Sequence, residues 1–372
     1  MSMINMPPLK IDNLTVAIPV IQGGMAVGVS LSGLAGSVAR EGGIGVIATA
    51  GIGRLEPDFT KDVPKANQIA LTKEIQKAKK ASGGLIGVNI MLALTDHEEL
   101  LLTAEHAGAD IAFLSAGLPL GRPCGVSVEE LRNFRIKIFP KVSSARATKL
   151  IFKYWDKNYQ HVPDGVVVEG PMAGGHLGFR TDDIDSPAFK LEELVPAVVD
   201  EIIPYREKYA KDIPVIAAGG IYTGEDIFEA LHTLRASGVT MGTRFVATDE
   251  CDAQPEFKQA YIDCSKEDLK IIASPVGLPG RAIWNAFLAD VSQGMTKPYS
   301  CLYHCIKSCD VKNAPYCIGI ALSDAARGFM QKGLTFAGAN AWRVDKIMSV
   351  KNLLEELKAG FSKAAMVGAG VR

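Results

Sequence analysis

The chain has 372 residues, of which 48% are hydrophobic and 22% are charged, and its formal net charge at pH 7 is −1. This length suits one large barrel with an appendage, and the near-zero charge indicates neither a nucleic-acid nor a membrane surface. No segment resembles a signal peptide or a membrane span, so the seven cysteines are expected as reduced thiols in a cytoplasmic protein. The expected partner is a small-molecule substrate, and the oligomeric state stays open.

Eight apolar runs recur along the first 250 residues, each followed by glycine or a small polar residue. They are nearly continuous rather than alternating, as in parallel strands covered on both faces. The runs are residues 16–22, 44–49, 85–91, 111–115, 137–142, 165–168, 215–218 and 239–245. Stretches with helical length and spacing lie between them, among them 65–81, 98–106, 144–155, 191–209 and 224–234. This alternation predicts an α/β fold, a (β/α)8 TIM barrel over residues 1–250, with an open doubly wound sheet as the alternative.

The pattern changes after the barrel. Residues 251–348 are less strand-like and hold most of the cysteines, and we predict a mostly helical C-terminal extension near the mouth of the barrel. In residues 349–372, Leu353, Leu354, Leu357 and Phe361 are in helical phase. This segment is predicted to form a helix that packs back on the barrel.

The last two apolar runs end in residues suited to gripping a phosphate. Gly219 and Gly220 follow the seventh run, and Gly242 and Thr243 lie in the eighth. Barrels often bind phosphate with backbone N–H groups after their last two strands, and glycine lets the chain approach an anion closely. Either site alone would indicate only a tight turn, but the pair predicts a phosphate-bearing ligand.

Several blocks of the barrel resemble the FMN-dependent nitronate monooxygenase family, formerly called 2-nitropropane dioxygenases. The same blocks occur in the sister enzyme, FMN-dependent enoyl-acyl-carrier-protein reductase II. They are residues 19–25 (PVIQGGM), 87–91 (GVNIM), 169–178 (EGPMAGGHLG), 214–221 (PVIAAGGI) and 241–245 (MGTRF). The resemblance spans the barrel and implies an FMN-dependent oxidoreductase.

The resemblance also implies which residues hold FMN. Asn89 would bond the flavin ring, and Lys141 would place a cation near its N1–O2 edge, where reduced flavin is anionic. A loop-capping Asn89 and a solvated surface Lys141 are the structural alternatives. The full predicted cofactor-binding set is Gly23, Gly24, Met25, Asn89, Lys141, Glu169, Gly174, Gly175, Gly219, Gly220, Gly242 and Thr243.

One of the six histidines is predicted to be catalytic. Only His176 falls in a glycine-flanked loop after a barrel strand, where barrels keep their catalytic groups. The resemblance implies that it orients an anionic nitronate or acts as a base, both within reach of an imidazole. The predicted activity is oxidation of alkyl nitronates with O2. The alternatives are an NAD(P)H-dependent enoyl-thioester reductase and, more distantly, a flavin-free isomerase or lyase that uses His176 and Glu169 as acid and base.

Four cysteines crowd into the extension. The first three of Cys301, Cys305, Cys309 and Cys317 are spaced by four, which predicts one face of a helix bracketed by prolines 298 and 315. Four thiolates suit an iron–sulfur cluster or zinc, although the spacing matches neither a paired zinc motif nor a ferredoxin motif. Small apolar core residues are the alternative, and the family resemblance does not support a metal here.

Two further residues near the predicted site have open roles. Arg281 lies in a family-like segment, SPVGLPGRA, and either meets a substrate carboxylate or anchors its loop. Asn340 stands where relatives often carry a Gly-Gln pair, and its side chain has a shorter reach.

Overall fold

The computed structural model describes residues 4–123 and 125–370. The strands, in chain order, are β1 (Leu9–Ile11), β2 (Leu14–Val16), β3 (Val20–Gln22), β4 (Gly45–Ala48), β5 (Ile86–Met91), β6 (Ile111–Ser115), β7 (Lys137–Val142), β8 (Val166–Glu169), β9 (Gly175–His176), β10 (Val215–Ala218), β11 (Gly238–Met241), β12 (Leu269–Ala273), β13 (Pro279–Ile283) and β14 (Thr335–Phe336). The α-helices are α1 (Ser32–Arg40), α2 (Val63–Ser82), α3 (His97–Ala107), α4 (Val128–Arg132), α5 (Ala145–Tyr159), α6 (Leu191–Tyr209), α7 (Gly224–His232), α8 (Thr243–Val246), α9 (Pro255–Ile262), α10 (Ala286–Ser292), α11 (Ile318–Ala326) and α12 (Val350–Gly370). Short 3₁₀ helices cover Ile52–Leu55, Thr181–Asp183, Pro187–Phe189, Met330–Lys332 and Ala341–Arg343.

Eight of these strands form a closed parallel barrel. Their hydrogen-bonded order is β3, β11, β10, β8, β7, β6, β5, β4. The ring closes between β3 and the residue before β4, where the N–H of Gln22 donates to the carbonyl of Ile44 at 2.9 Å and the N–H of Ile44 donates to Val20 at 3.0 Å. The predicted (β/α)8 barrel is confirmed, and the open doubly wound sheet is wrong.

The barrel interior is filled by alternate residues of its strands, because successive side chains of a strand point to opposite faces. Phe113 and Phe139 meet there edge to face, with ring centroids 5.6 Å apart. The hairpin of β1 and β2 adds side chains to the same core. The members of this inner core are Leu9, Ile11, Val16, Ile21, Ile44, Val46, Ile111, Phe113, Phe139, Val167, Ile216 and Ala218.

Three of the outer helices, α2, α5 and α7, begin at a capping side chain. Ser144 accepts a hydrogen bond from the N–H of Ala147 at the start of α5, and Thr223 forms a capping box with Asp226 at the start of α7. The helix α12 packs against both α7 and α1. A Cβ atom at Gly224 would lie 2.1 Å from the carbonyl oxygen of Leu357, so this helix contact requires glycine. The long C-terminal helix thus takes the place of an eighth barrel helix, because α8 is a single turn.

Two of the predicted strands differ from the observed ones by more than one residue at an end. The run at 239–245 is strand only as far as Met241, and Thr243 begins the short helix α8, in which the N–H of Phe245 donates to the carbonyl of Gly242 at 2.9 Å. Hydrophobicity misplaced this boundary because Phe245 is buried although it lies in a helical turn rather than a strand. The run at 16–22 is split into the end of β2 and β3, with Pro19 between them.

The extension contains α9, α10 and α11 and also an antiparallel sheet that the sequence analysis did not predict. Its strands β12, β13 and β14 are joined by β9, which comes from the loop after β8. The predicted cysteine helix is wrong: the chain from 299 to 316 is irregular, and the next helix begins only at Ile318. Within the described part of the chain, every helix is too short or too polar to span a lipid bilayer.

Candidate active site

A cavity of about 800 Å³ lies at the carboxyl ends of the barrel strands and beneath the extension. Its lining contains the predicted catalytic residue His176 and every residue of the predicted cofactor-binding set. The inward-facing positions of the strands lead into it, because Lys141 follows the core residue Phe139 by two positions and Glu169 follows Val167 by two. Because alternate residues of a strand face the barrel interior, Lys141 and Glu169 lie above the apolar core at the carboxyl end of the barrel.

Lys141 and Glu169 form an ion pair on neighbouring strands. The Nζ atom of Lys141 lies 2.8 Å from Oε1 of Glu169, and both side chains are mostly buried. The solvated surface position considered for Lys141 is therefore not found. Breaking this pair by removing one partner would leave the other charge uncompensated in the cavity wall.

Asn89 presents an amide to the cavity. Its carbonyl oxygen accepts from the N–H and the hydroxyl of Thr49, both at 3.1 Å, whereas its side-chain amide has no protein partner among residues 4–123 and 125–370. The alternative in which this side chain caps a loop is therefore not found. Gly24 packs directly against it, because a Cβ atom at Gly24 would lie 2.4 Å from the Cβ atom of Asn89. Glycine at position 24 leaves the amide free to meet a ligand.

The two glycine sites after β10 and β11 form a concave backbone surface. Gly219 and Gly220 have φ angles of 96° and 91°, which other residues rarely adopt. In the described chain, the N–H groups of Gly219, Gly220 and Gly242 donate to no protein group. Asn340 supports this surface by donating from Nδ2 to the carbonyl of Gly220 at 2.6 Å. Free amides of this kind suit an anion such as phosphate.

Thr243 adds a hydroxyl at the same end of the cavity. Its Oγ1 atom accepts a hydrogen bond from the N–H of Gly338 at 3.1 Å, so its own proton can point to a ligand. Residue 338 belongs to the segment that departs from the relatives' Gly-Gln pattern. That segment therefore contacts both sites: Gly338 bonds Thr243 after β11, and Asn340 bonds Gly220 after β10.

His176 lies on β9 and reaches the cavity beneath the extension. Its Nε2 atom is 2.7 Å from Oγ of Ser274, and its ring meets Phe336 edge to face with centroids 5.0 Å apart. Burial lowers the pKa of His176 to about 4. The imidazole is consequently neutral at neutral pH and can both donate and accept a hydrogen bond.

The strand that carries His176 is fixed by close backbone packing. Leu177 donates its N–H to the carbonyl of Pro279 at 2.9 Å, and His176 is paired with Gly280 on β13. A Cβ atom at Gly174 would lie 2.5 Å from the carbonyl carbon of Ala337. Gly174 is thus required for the loop to pass under the extension.

Arg281 anchors this loop. Its guanidinium donates to the carbonyl of Pro171 at 2.9 Å and to that of Ala173 at 3.3 Å, and burial lowers its pKa. Its side chain holds the loop after β8 instead of lining the cavity, which agrees with the anchoring role considered for it.

The four cysteines of the extension line the same cavity. Cys301 is exposed, the other three are half-buried, and all four are free thiols. Cys305 and Cys309 pack against the hydrophobic core, so the apolar core role considered for the cysteines holds for these two and not for the exposed Cys301. Among the described residues, no group of three or more His, Cys, Asp or Glu side chains converges to hold a metal ion.

The sequence analysis assigned no role to Ser274 or Phe336, the two side chains in contact with His176. Ser274 lies in the quoted SPVGLPGRA segment, which was the only available signal. It is buried, and its sequence separation of 98 from His176 hides the contact from any local pattern. Phe336 lies on β14, a strand that the sequence did not predict.

Comparisons with known proteins agree with this geometry. The family model described as nitronate monooxygenase matches residues 7–360. A probable nitronate monooxygenase of Staphylococcus saprophyticus is 26% identical over 306 residues, covering 75% of this chain and 79% of its own. A (3aS,4S,5R,7aS)-5-hydroxy-7a-methyl-1-oxo-octahydro-1H-indene-4-carboxyl-CoA dehydrogenase of Rhodococcus jostii is 27% identical, covering 71% of this chain and 62% of its own. The structure of FabK from Thermotoga maritima superposes with a TM-score of 0.73 and 25% identity over 96% of both chains.

These matches exclude the flavin-free isomerase or lyase considered from the sequence, because the family model covers almost the whole chain, including the extension. The chain belongs to the nitronate monooxygenase family and is an FMN-dependent oxidoreductase.

Proposed function

We propose that this protein oxidises alkyl nitronates with O2, with FMN at the carboxyl-terminal rim of the barrel and His176 holding the substrate. The observation that carries the proposal is the position of His176, a half-buried imidazole bonded to Ser274 in the cavity that also contains the predicted cofactor residues. Substrate and flavin would then meet in one enclosed pocket.

The cavity residues fit FMN at both of its ends. The free N–H groups of Gly219, Gly220 and Gly242 suit the phosphate, and the unpartnered amide of Asn89 suits a flavin ring edge. Lys141 offers a cation in the cavity wall, held by Glu169. FMN supplies the electron transfer when bound, and the protein supplies position and charge.

His176 addresses the substrate as a neutral hydrogen-bonding group. A nitronate is already an anion, so it needs a donor for its oxygens and no base to remove a proton. A neutral imidazole with a pKa of about 4 is a weak base at neutral pH but still donates through a ring N–H. The site is therefore better suited to nitronates than to neutral nitroalkanes.

A reductase acting on enoyl thioesters with NAD(P)H is the second candidate. It is supported by the likeness to FabK and by the Rhodococcus jostii relative, whose name describes an acyl-CoA substrate. The same residues would hold FMN, and His176 would then lie near the enoyl group. The two functions differ in the compound that reduces the flavin.

Anaerobic stopped-flow mixing of the FMN-loaded enzyme tests this difference. Ethylnitronate alone is expected to bleach the visible flavin absorbance, and NADH or NADPH is expected to do so slowly or not at all. The converse result would contradict the nitronate proposal and favour the reductase. Slow bleaching by both compounds would contradict both proposals. Running ethylnitronate and nitroethane side by side checks the expected preference for the anion.

A further inference from the structure

The residues expected to hold the FMN phosphate carry no charge. Gly219, Gly220 and Gly242 offer backbone N–H groups, and Thr243 offers a hydroxyl. A phosphate monoester has a charge of about −1.5 to −2 at pH 7. Compensation of this charge is therefore left to a group outside these four residues.

An aromatic residue follows the glycine surface. Tyr222 is buried, lines the same cavity and lies two residues after Gly220, so the two Cα atoms are within about 7 Å of each other. Its backbone N–H donates to Oδ2 of Asp226 at 2.8 Å, which fixes Tyr222 at the start of α7. Tyr222 is therefore held beside the expected position of the phosphate.

Two guanidinium groups lie over the Tyr222 ring. The Cζ atom of Arg244 is 4.5 Å from the ring centroid, and the Cζ atom of Arg343 is 4.4 Å from it. A guanidinium over an aromatic face is attracted by the ring quadrupole. Arg244 also follows Thr243 directly in the chain. Both cations are thus held by the aromatic side chain that borders the glycine surface.

The two arginines differ in the charge that they leave uncompensated. Arg244 is buried, and its Nη2 atom forms an ion pair with Oε1 of Glu356 at 2.8 Å. Arg343 is exposed and forms no ion pair with any carboxylate in residues 4–123 and 125–370. Arg343 therefore contributes a net positive charge beside the cavity, whereas the charge of Arg244 is largely neutralised.

The backbone that carries Arg343 is bonded to the glycine surface. Asn340 donates from Nδ2 to the carbonyl of Gly220 at 2.6 Å, and the N–H of Arg343 donates to the carbonyl of Asn340 at 3.1 Å. The 3₁₀ turn Ala341–Arg343 is consequently attached to a residue whose own N–H is free for the phosphate. Two independent contacts, one through this turn and one through the Tyr222 ring, keep the guanidinium at this end of the cavity.

We propose that Arg343, held over Tyr222, makes the site select FMN over uncharged riboflavin by compensating the charge of the phosphate. This inference rests on the FMN position given under the proposed function. Arg343 does not line the cavity, so it acts on the phosphate through its electric field and not by contact. The field of an exposed charge is screened by salt, so the effect is modest and depends on ionic strength.

Equilibrium dialysis of the FMN-stripped, full-length protein against FMN and against riboflavin tests this role. Arg343→Gln is expected to weaken FMN binding about threefold to fivefold and to leave riboflavin binding unchanged. Arg343→Lys should retain most of the FMN affinity because it keeps the charge. The matched control is Arg327→Gln, because Arg327 lies over the ring of Phe329 at 5.4 Å in the same extension, and neither residue lines the cavity.

Salt titrations add a readout that a purely structural role would not change. The Kd for FMN should rise more steeply with salt in the wild type than in Arg343→Gln. An equal salt dependence, an equal loss of affinity for both flavins, or unchanged FMN binding in Arg343→Gln would each overturn the proposal. Gly242→Asp, dialysed in parallel, should weaken FMN binding whether or not Arg343 contributes. Unchanged FMN binding in Gly242→Asp would contradict the proposed phosphate position, and this inference with it.

Discussion

The Nε2 atom of His176 and the Oγ atom of Ser274 lie 2.7 Å apart, although one residue follows a barrel strand and the other belongs to the extension. The serine is buried beside the imidazole, so it fixes the orientation of the ring. The proposed substrate contact therefore depends on a bond between two parts of the fold.

Removing the serine hydroxyl should weaken substrate turnover without releasing FMN. A net hydrogen bond contributes about 1 kcal/mol, so Ser274→Ala is expected to lower kcat/KM for ethylnitronate about fivefold. His176→Ala should lower it about 100-fold, the loss typical of a positioned proton-transfer or hydrogen-bonding group. Ser292→Ala, an exposed serine that bonds Ala289, is the control. Unchanged kinetics in Ser274→Ala would mean that this bond does not serve the reaction.

The reaction should be insensitive to pH near neutrality and should fail in acid. Because burial lowers the pKa of His176 to about 4, the neutral imidazole persists well below its usual range. We expect kcat/KM for a nitronate to fall only as the pH drops towards about 4. A decline centred near the usual histidine pKa of about 6.5 would show that the imidazole is not held neutral.

The same shift predicts an effect of His176 on stability. Between pH 6.5 and about 4 the unfolded chain binds a proton at this residue and the native chain does not. Stability contributed by the neutral imidazole is therefore complete above pH 6.5 and is lost as the pH falls through this window. Acidification should cost the wild type up to about 3 kcal/mol more than His176→Gln, measured by urea unfolding across that range. An equal loss of unfolding free energy in both proteins across this pH range would contradict the lowered pKa of His176.

Gly242 offers a clean test of the phosphate site. Its φ angle of −103° is open to other residues, and the nearest neighbour of an added Cβ atom is Sδ of Met25 at 3.7 Å. Gly242→Ala should keep FMN, whereas Gly242→Asp should weaken FMN binding at least about tenfold by placing a carboxylate beside the phosphate. Equilibrium dialysis of FMN measures both. Equal affinity of the two variants for FMN would mean that the phosphate does not bind beside Gly242.

The start of α1 is stabilised by a side chain that is distant in sequence. No side chain of the local sequence caps this helix, but the carboxylate of Asp252 accepts from the N–H groups of Leu31 at 2.7 Å and of Gly33 and Leu34 at 3.1 Å. Asp252→Ala should lower the free energy of unfolding by about 2 kcal/mol, as for the loss of a strong cap. The exposed Asp249→Ala is the control. Similar thermal unfolding of both variants would refute the capping role.

Much of the barrel was predictable because its signals are local. The strand Lys137–Val142 and the helix Leu191–Tyr209 match their predicted bounds, since apolar composition and helical spacing act over a few residues. The glycines after the last two strands could be found in the same way. Their arrangement in one cavity follows from the closed parallel order of the strands.

The parts that escaped prediction depend on contacts between distant residues. Ser274 meets His176 only because β9 joins the sheet of the extension. The spacing of Cys301, Cys305 and Cys309 fits a helix, yet bonds from the 93–95 segment to the backbone of the loop favour an irregular path. The spacing of the cysteines could not reveal that these long-range backbone bonds would replace the hydrogen bonds of a helix.

The pairing of β9 with β13 makes the position of His176, the proposed substrate-binding residue, depend on the extension. The barrel half of the pocket holds the glycines and Lys141, whereas His176 is positioned by a ladder whose other strand belongs to the extension. Substitutions in residues 279–283 would therefore shift the imidazole while leaving the proposed FMN-binding residues of the barrel unchanged. Under the proposed function, the preferred substrate would then change with this strand pairing while the barrel stays the same.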